Sequence, residues 1–78
     1  MKLYLISQDE NDNYDTYDSA VVAARDEEDA RQINPGGDWS KTKYVSWCSS
    51  PDKVIVRLVG EAAPDVPRGL ILASFNAG

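Results

Sequence analysis

Apolar residues fall along this chain in short runs, many of them β-branched or aromatic, separated by polar stretches, a pattern that calls for strands more than long helices. Residues 2–7, Lys-Leu-Tyr-Leu-Ile-Ser, set Leu3 and Leu5 on one face and Tyr4 and Ile6 on the other, and the segment predicts a strand. Residues 8–17, Gln-Asp-Glu-Asn-Asp-Asn-Tyr-Asp-Thr-Tyr, are rich in side chains that compete with the backbone for local hydrogen bonds, so they predict a loop. Residues 18–24, Asp-Ser-Ala-Val-Val-Ala-Ala, predict a second strand, antiparallel to the first and joined to it by that loop.

The period changes after Arg25. Asp26 is placed to cap a helix, and Glu27, Glu28 and Asp29 fill its first turn, where negative charge complements the helix dipole. Ala30 and Ile33 can face a sheet, and Asn34-Pro35-Gly36-Gly37 ends the helix after about two turns. A structureless connection over 34–52 would be long for so small a domain, so a short strand is expected at Lys43–Cys48, followed by a turn at Ser49–Asp52. Residues 53–60 form the strongest strand pattern, with Val54, Val56 and Leu58 on one face and Ile55, Arg57 and Val59 on the other. A loop with Pro64, Pro67 and Gly69 leads to a last strand at Leu70–Phe75, which is expected at a sheet edge. The expected fold is α+β: one antiparallel sheet of four to five strands with one short helix packed on a face. Residues 1–78 make a single compact domain in this reading.

Charge adds what the pattern lacks. The 78 residues carry 13 acids and 8 bases, a net of −5. Residues 9–29 hold nine acids (Asp9, Glu10, Asp12, Asp15, Asp18, Asp26, Glu27, Glu28, Asp29) and one base, Arg25, a local net of −8. The rest holds seven bases and four acids, a net of +3. Carboxylates this dense repel one another, which disfavours phosphates and anionic lipid as ligands and favours a basic partner. Tyr14 and Tyr17 stand among them and supply the rigid contact area common at interface centres. The expected partner-binding residues are Asp9, Glu10, Asp12, Tyr14, Asp15, Tyr17, Asp18, Glu27, Glu28 and Asp29.

Other chemistry is weakly represented. There is no histidine and one cysteine, Cys48, so no internal disulfide forms, and neither a nucleophile–base pair nor a transition-metal set is evident. No catalytic residue, cofactor or metal is expected. Asp9, Asn11 and Asn13 match positions one, three and five of an EF-hand loop, but Tyr14 replaces the turn glycine and Ala20 the bidentate glutamate. Trp39 and Trp47 are expected to pack at the loop side of the sheet, although Lys41 and Lys43 between them leave a small nucleic-acid patch open. The apolar runs are too short for a signal peptide or a bilayer span, so a soluble, reducing compartment is expected.

Several stretches carry a resemblance: Ser7-Gln8-Asp9, Tyr14-Asp15-Thr16-Tyr17-Asp18-Ser19-Ala20-Val21-Val22, Trp47-Cys48, Ser50-Pro51-Asp52 with Val54 and Val56, and Ala73-Ser74-Phe75-Asn76-Ala77-Gly78. Together they cover most of the chain and resemble a family of short phage and prophage proteins, among them anti-CRISPR proteins of the type I-C surveillance complex, Cascade. That resemblance implies a monomeric DNA mimic that evades host defence in the bacterial cytoplasm. It would dock on the backbone subunit of Cascade, through that subunit's basic DNA-binding surface, and block target DNA. Such channels hold nucleic acid by its backbone with Lys and Arg, which clustered carboxylates could occupy instead. Two alternatives use the same residues: an acidic phage protein masking another basic host DNA-binding protein, and a calcium-stabilised structural module. An enzyme is the least supported class.

Overall fold

The computed structural model describes residues 1–11, 15–37, 39 and 46–76. It contains strands β1 (Lys2–Ser7) and β2 (Thr16–Ala24), a helix α1 (Glu27–Arg31), a 3₁₀ turn at Pro51–Lys53, and strands β3 (Ile55–Glu61) and β4 (Gly69–Asn76). All neighbouring strands are antiparallel, in the order β3-β1-β2-β4. The fold is therefore the expected α+β arrangement, with four strands in one open sheet. Both β3 and β4 are edges, as expected for the last strand.

Register divides the sheet into two faces, because residues directly opposite one another share a face. Val56, Ile6, Ala20 and Ala73 form one cross-strand row, and Leu58, Tyr4, Val22 and Leu70 the next. The inner members of these rows, Ile6, Ala20, Val22 and Tyr4, are buried and join Ala24, Ala30, Ile33, Trp47, Cys48 and Val54 in the core. Helix α1 packs over β1, β2 and β3 on this side. Ala20 and Ala24 of β2 share one buried cluster with Ala30 of α1 and Trp47.

Helix α1 is one turn shorter than the sequence pattern allows, and its ends explain why. The Asp26 carboxylate accepts from the Asp29 amide at 2.8 Å, and Asp29 reaches back to the Arg25 amide at 3.0 Å, a reciprocal cap. At the other end, Gln32 and Ile33 donate to carbonyls three residues back, which tightens the chain and stops the helix. Arg31 donates to the Val54 carbonyl and so fastens the helix to the entry of β3. Five helical residues have little stability of their own, and these tertiary ties hold them.

Strand β4 extends one residue beyond the expected Leu70–Phe75 at each end and β3 ends one residue late, and three further expectations differ by more. Strand β2 begins at Thr16, two residues early. Thr16 and Tyr17 are strand formers, and a bulge at Asp18 absorbs the polar residue that suggested a boundary. Residues 43–45 of the expected strand Lys43–Cys48 lie outside the described residues. Ser46, Trp47 and Cys48 are not strand. Their apolar character comes from burial: Trp47 is fully enclosed and Cys48 nearly so. The strand expected at 53–60 starts at Ile55, because Pro51 initiates a 3₁₀ turn that runs through Lys53.

Candidate functional site

The loop between β1 and β2 is built around Gln8. Its side chain is buried, and its amide donates to the Asn11 carbonyl at 2.6 Å and to the Tyr17 carbonyl at 3.0 Å. Its side-chain oxygen accepts from the Asn11 amide at 2.7 Å. One side chain thus satisfies three backbone groups that a loop would otherwise leave to water. The loop is also fixed to the Trp47–Ser49 segment. Asn11 donates to the Trp47 carbonyl at 3.3 Å, and the Glu10 carboxylate accepts from the Ser49 amide at 2.7 Å and its hydroxyl at 3.0 Å. The Tyr17 amide donates to the Ser46 carbonyl at 2.7 Å.

This brace presents carboxylates. Asp9, Asp15 and Asp18 are exposed, and their carboxylates make no hydrogen bond or ion pair among the described residues. Gln8 donates its amide to the Asp18 carbonyl, so Asp9 and Asp18 border the same end of the sheet. Asp15 adopts φ 63°, the left-handed region that Asp tolerates better than most residues, and there it turns the chain into β2. Glu10 belongs to the loop but is engaged with Ser49. Tyr17 is half-buried and stacks edge-on against Phe75, with ring centroids 4.7 Å apart, so it is a packing residue as well as a partly open one. Asp12 and Tyr14 lie outside the described residues.

The helix acids sit elsewhere. They follow the far end of β2, whose nine residues run about 27 Å at the rise of an antiparallel strand. Glu27 and Glu28 are exposed and pair loosely with Arg31 at 3.5 and 3.8 Å. Asp29 differs from them: its side chain is only 11 % exposed and receives the Arg68 guanidinium at 2.8 Å and that of Arg25 at 3.5 Å. The Arg25 amide foremost, helped by the Arg68 and Arg25 side chains, holds its carboxyl below the usual carboxylate range. Asp29 is therefore spent within the fold, capping α1 and fastening the β3–β4 loop to it. The described acids of residues 9–29 are thus two groups in space.

Other candidate chemistry is placed as follows. Burial raises the Cys48 thiol pKa, and the thiol donates to the Ser50 carbonyl at 3.5 Å. No group of three His, Cys, Asp or Glu side chains among the described residues could hold a metal ion. Asn11 of the EF-hand-like spacing is turned toward Trp47, and Asn13 lies outside the described residues. Trp39 packs against the core and donates to the Gln32 carbonyl at 2.8 Å. Lys41 and Lys43 lie outside the described residues. A shallow groove of about 470 Å³ beside α1 is lined by Glu28, Arg31, Gln32, Pro51 and Asp52 and mixes both signs of charge. No helix among the described residues is long and apolar enough to cross a membrane. The chain matches no family model, no curated protein sequence and no solved structure.

Gln8 is the residue that sequence reasoning missed. A glutamine at a strand end has no periodic signature, and its only hint is the run of backbone groups in need of partners that follows it.

Proposed function

We propose that this chain is a protein-binding inhibitor of the anti-CRISPR kind, acting in the bacterial host cytoplasm on the type I-C surveillance complex. Its carboxylates occupy a basic DNA-binding surface of the backbone subunit and block target DNA. The observation that supports this reading best is the braced end of the sheet, where the carboxylates of Asp9, Asp15 and Asp18 are exposed and unpaired among the described residues. A rigid loop loses little conformational entropy on binding, so charge contacts made from it are less offset by ordering. Glu27 and Glu28 add a second acidic point, since an exposed i,i+4 pair is worth only about 0.2–0.5 kcal/mol and exchanges readily for a partner's cation.

The direct test replaces Asp9, Asp15 and Asp18 together by Asn. None of their carboxylates holds the fold through a bond among the described residues, so unfolding should be unchanged. If each charge pair contributes about 0.5–1 kcal/mol, affinity for the purified complex should fall about 10- to 100-fold. Association should also slow as salt rises, because the Debye length falls from about 10 Å at 0.1 M to about 3 Å at 1 M. Binding that is unchanged in the variant and indifferent to salt would remove the loop from the contact.

A further inference from the structure

The two edges of the sheet are not alike. Strand β3 carries Arg57 and Glu61 and shifts register against β1 between Leu3 and Tyr4, and charges and bulges are devices that keep an edge from pairing further. Strand β4, Gly-Leu-Ile-Leu-Ala-Ser-Phe-Asn, holds no charged residue and no proline. A bulge guards its first three residues: Val22 pairs with Leu70 and Val21 with Leu72, which leaves Ile71 over. From Leu72 to Asn76 β4 itself is uninterrupted, because the second register shift leaves over Asp18 of β2. Leu72 is 68 % exposed and Phe75 46 %, and Ser74 between them is exposed, so this run is open to solvent. The outer edge of β4 has no partner strand among the described residues.

We infer that the Leu72–Asn76 edge takes up an extended segment of a partner protein as an added strand, one that carries Lys or Arg at the end beside Asn76. The edge sets the first half of this description. A row of unpaired N–H and C=O groups at strand spacing is met in full only by another strand. Charge sets the second half. Asn76 pairs with Thr16, which follows Asp15, and Asp18 is left over between the partners of Ser74 and Phe75. The carboxylates of Asp15 and Asp18 are exposed and unpaired among the described residues. A docked strand stands two strand spacings from β2, about 10 Å, a gap that an extended Lys or Arg and an Asp span together.

A second copy of β4 suits this edge less. Antiparallel pairing over the same run would set the Asp18 residues of two copies three strand spacings apart, about 14 Å, and the run brings no base to offset them. Arg68, just before β4, is already held by Asp29 at 2.8 Å. Five residues of edge extend about 17 Å, so the strand alone binds weakly and adds to the contact made by the acidic loop. The docking rests on the inhibitor reading only in taking the partner to be basic.

The test titrates a capped peptide, Lys-Lys-Val-Thr-Val-Thr-Val, into the isotopically labelled full chain and follows the backbone amides by NMR. Its lysines stand at the amino end, which lies beside Asn76 when the strands are antiparallel, as every pair in this sheet is. Amide signals along Leu72–Asn76 should move and saturate with a Kd of about 0.1–1 mM, while those of β3 stay in place. The same peptide methylated at every Val and Thr amide nitrogen should not bind. Asp15→Asn combined with Asp18→Asn should weaken binding about 3- to 10-fold and leave the rest of the spectrum unchanged. No movement along β4 at saturating peptide concentration would overturn the inference, as would equal binding of the methylated peptide, which cannot pair with an edge. Signals along β4 that move with the concentration of the chain alone would also overturn it, by giving the edge to a second copy. None of these readouts involves the type I-C complex, so failure of the edge docking and failure of the inhibitor reading are told apart.

Discussion

Replacing Gln8 by alanine removes three hydrogen bonds from a buried site without touching a single acid. The Asn11 carbonyl, the Tyr17 carbonyl and the Asn11 amide each lose their Gln8 partner. A buried backbone group left without a partner costs about 1–3 kcal/mol, but this site lies at a loop, where water can re-solvate part of it. Three such groups total about 6 kcal/mol, and taking water to recover about two thirds leaves a net cost near 2 kcal/mol. A domain of 78 residues has total stability of roughly 4–12 kcal/mol, so this is a sizeable fraction. For its size the corresponding fall in Tm is about 8–16 °C. Urea unfolding followed by Trp47 fluorescence gives the free energy, since that indole is fully enclosed in the native state. Gln8→Glu sharpens the test. It keeps an acceptor for the Asn11 amide but sets a carboxylate against two carbonyls, so at pH 7 it should be at least as harmful as alanine. Lowering the pH should recover part of the loss as the carboxyl gains a proton to donate. A fall in Tm of under about 2 °C for both variants would refute the account of Gln8 as the brace of the acidic loop.

Asp29 gives a pH prediction. Its carboxyl is held below its ordinary value in the folded state, so the unfolded chain binds its proton more readily. The stability it contributes is fully present above the unfolded carboxylate pKa of about 3.9 and is lost as pH falls through the lower folded value. Asp29→Asn should cost about 2 kcal/mol near neutrality, through charge-assisted bonds to the Arg25 amide and the Arg68 guanidinium, and should flatten the acid limb of the stability curve. An unchanged acid limb would show that Arg68 and Arg25 do not hold the carboxylate in solution. Cys48, buried and with its thiol pKa raised by that burial and by Glu10, should react with a disulfide reagent only as fast as the protein opens. Rapid native-state labelling would contradict its burial.

The sheet was legible because its chemistry is local and periodic. The apolar, β-branched and aromatic runs at Leu3–Ile6 and at Val54–Val59, and the Asp26 cap with acids behind it, report strand and helix directly. What could not be read depends on contacts distant in sequence. Trp47 and Cys48 are apolar because they fill the space over the sheet, and not because they alternate as a strand. The bulge at Asp18 is a property of pairing with β4, invisible before that pairing is known. The acids of residues 9–29 are close in sequence, but β2 separates the described ones into a group at each end of the sheet. Asp29 then leaves the candidate contact set altogether, because Arg68, brought in by the β3–β4 loop, occupies it. Charge composition thus named the candidate residues, and the fold divides the described ones between two places.

The central claim is that the acidic loop covers a DNA-binding surface, and a target-DNA gel shift with purified type I-C complex tests it most directly. Complex, labelled DNA and increasing amounts of this protein are combined, and the protein's own migration is followed in the same lanes. The account predicts loss of the shifted DNA band as the protein comes to co-migrate with the complex, with the Asp9, Asp15 and Asp18 triple variant needing at least about tenfold more protein for the same effect. A DNA shift that persists at saturating protein would contradict it, whether the protein co-migrates and leaves the DNA in place or fails to bind the complex at all.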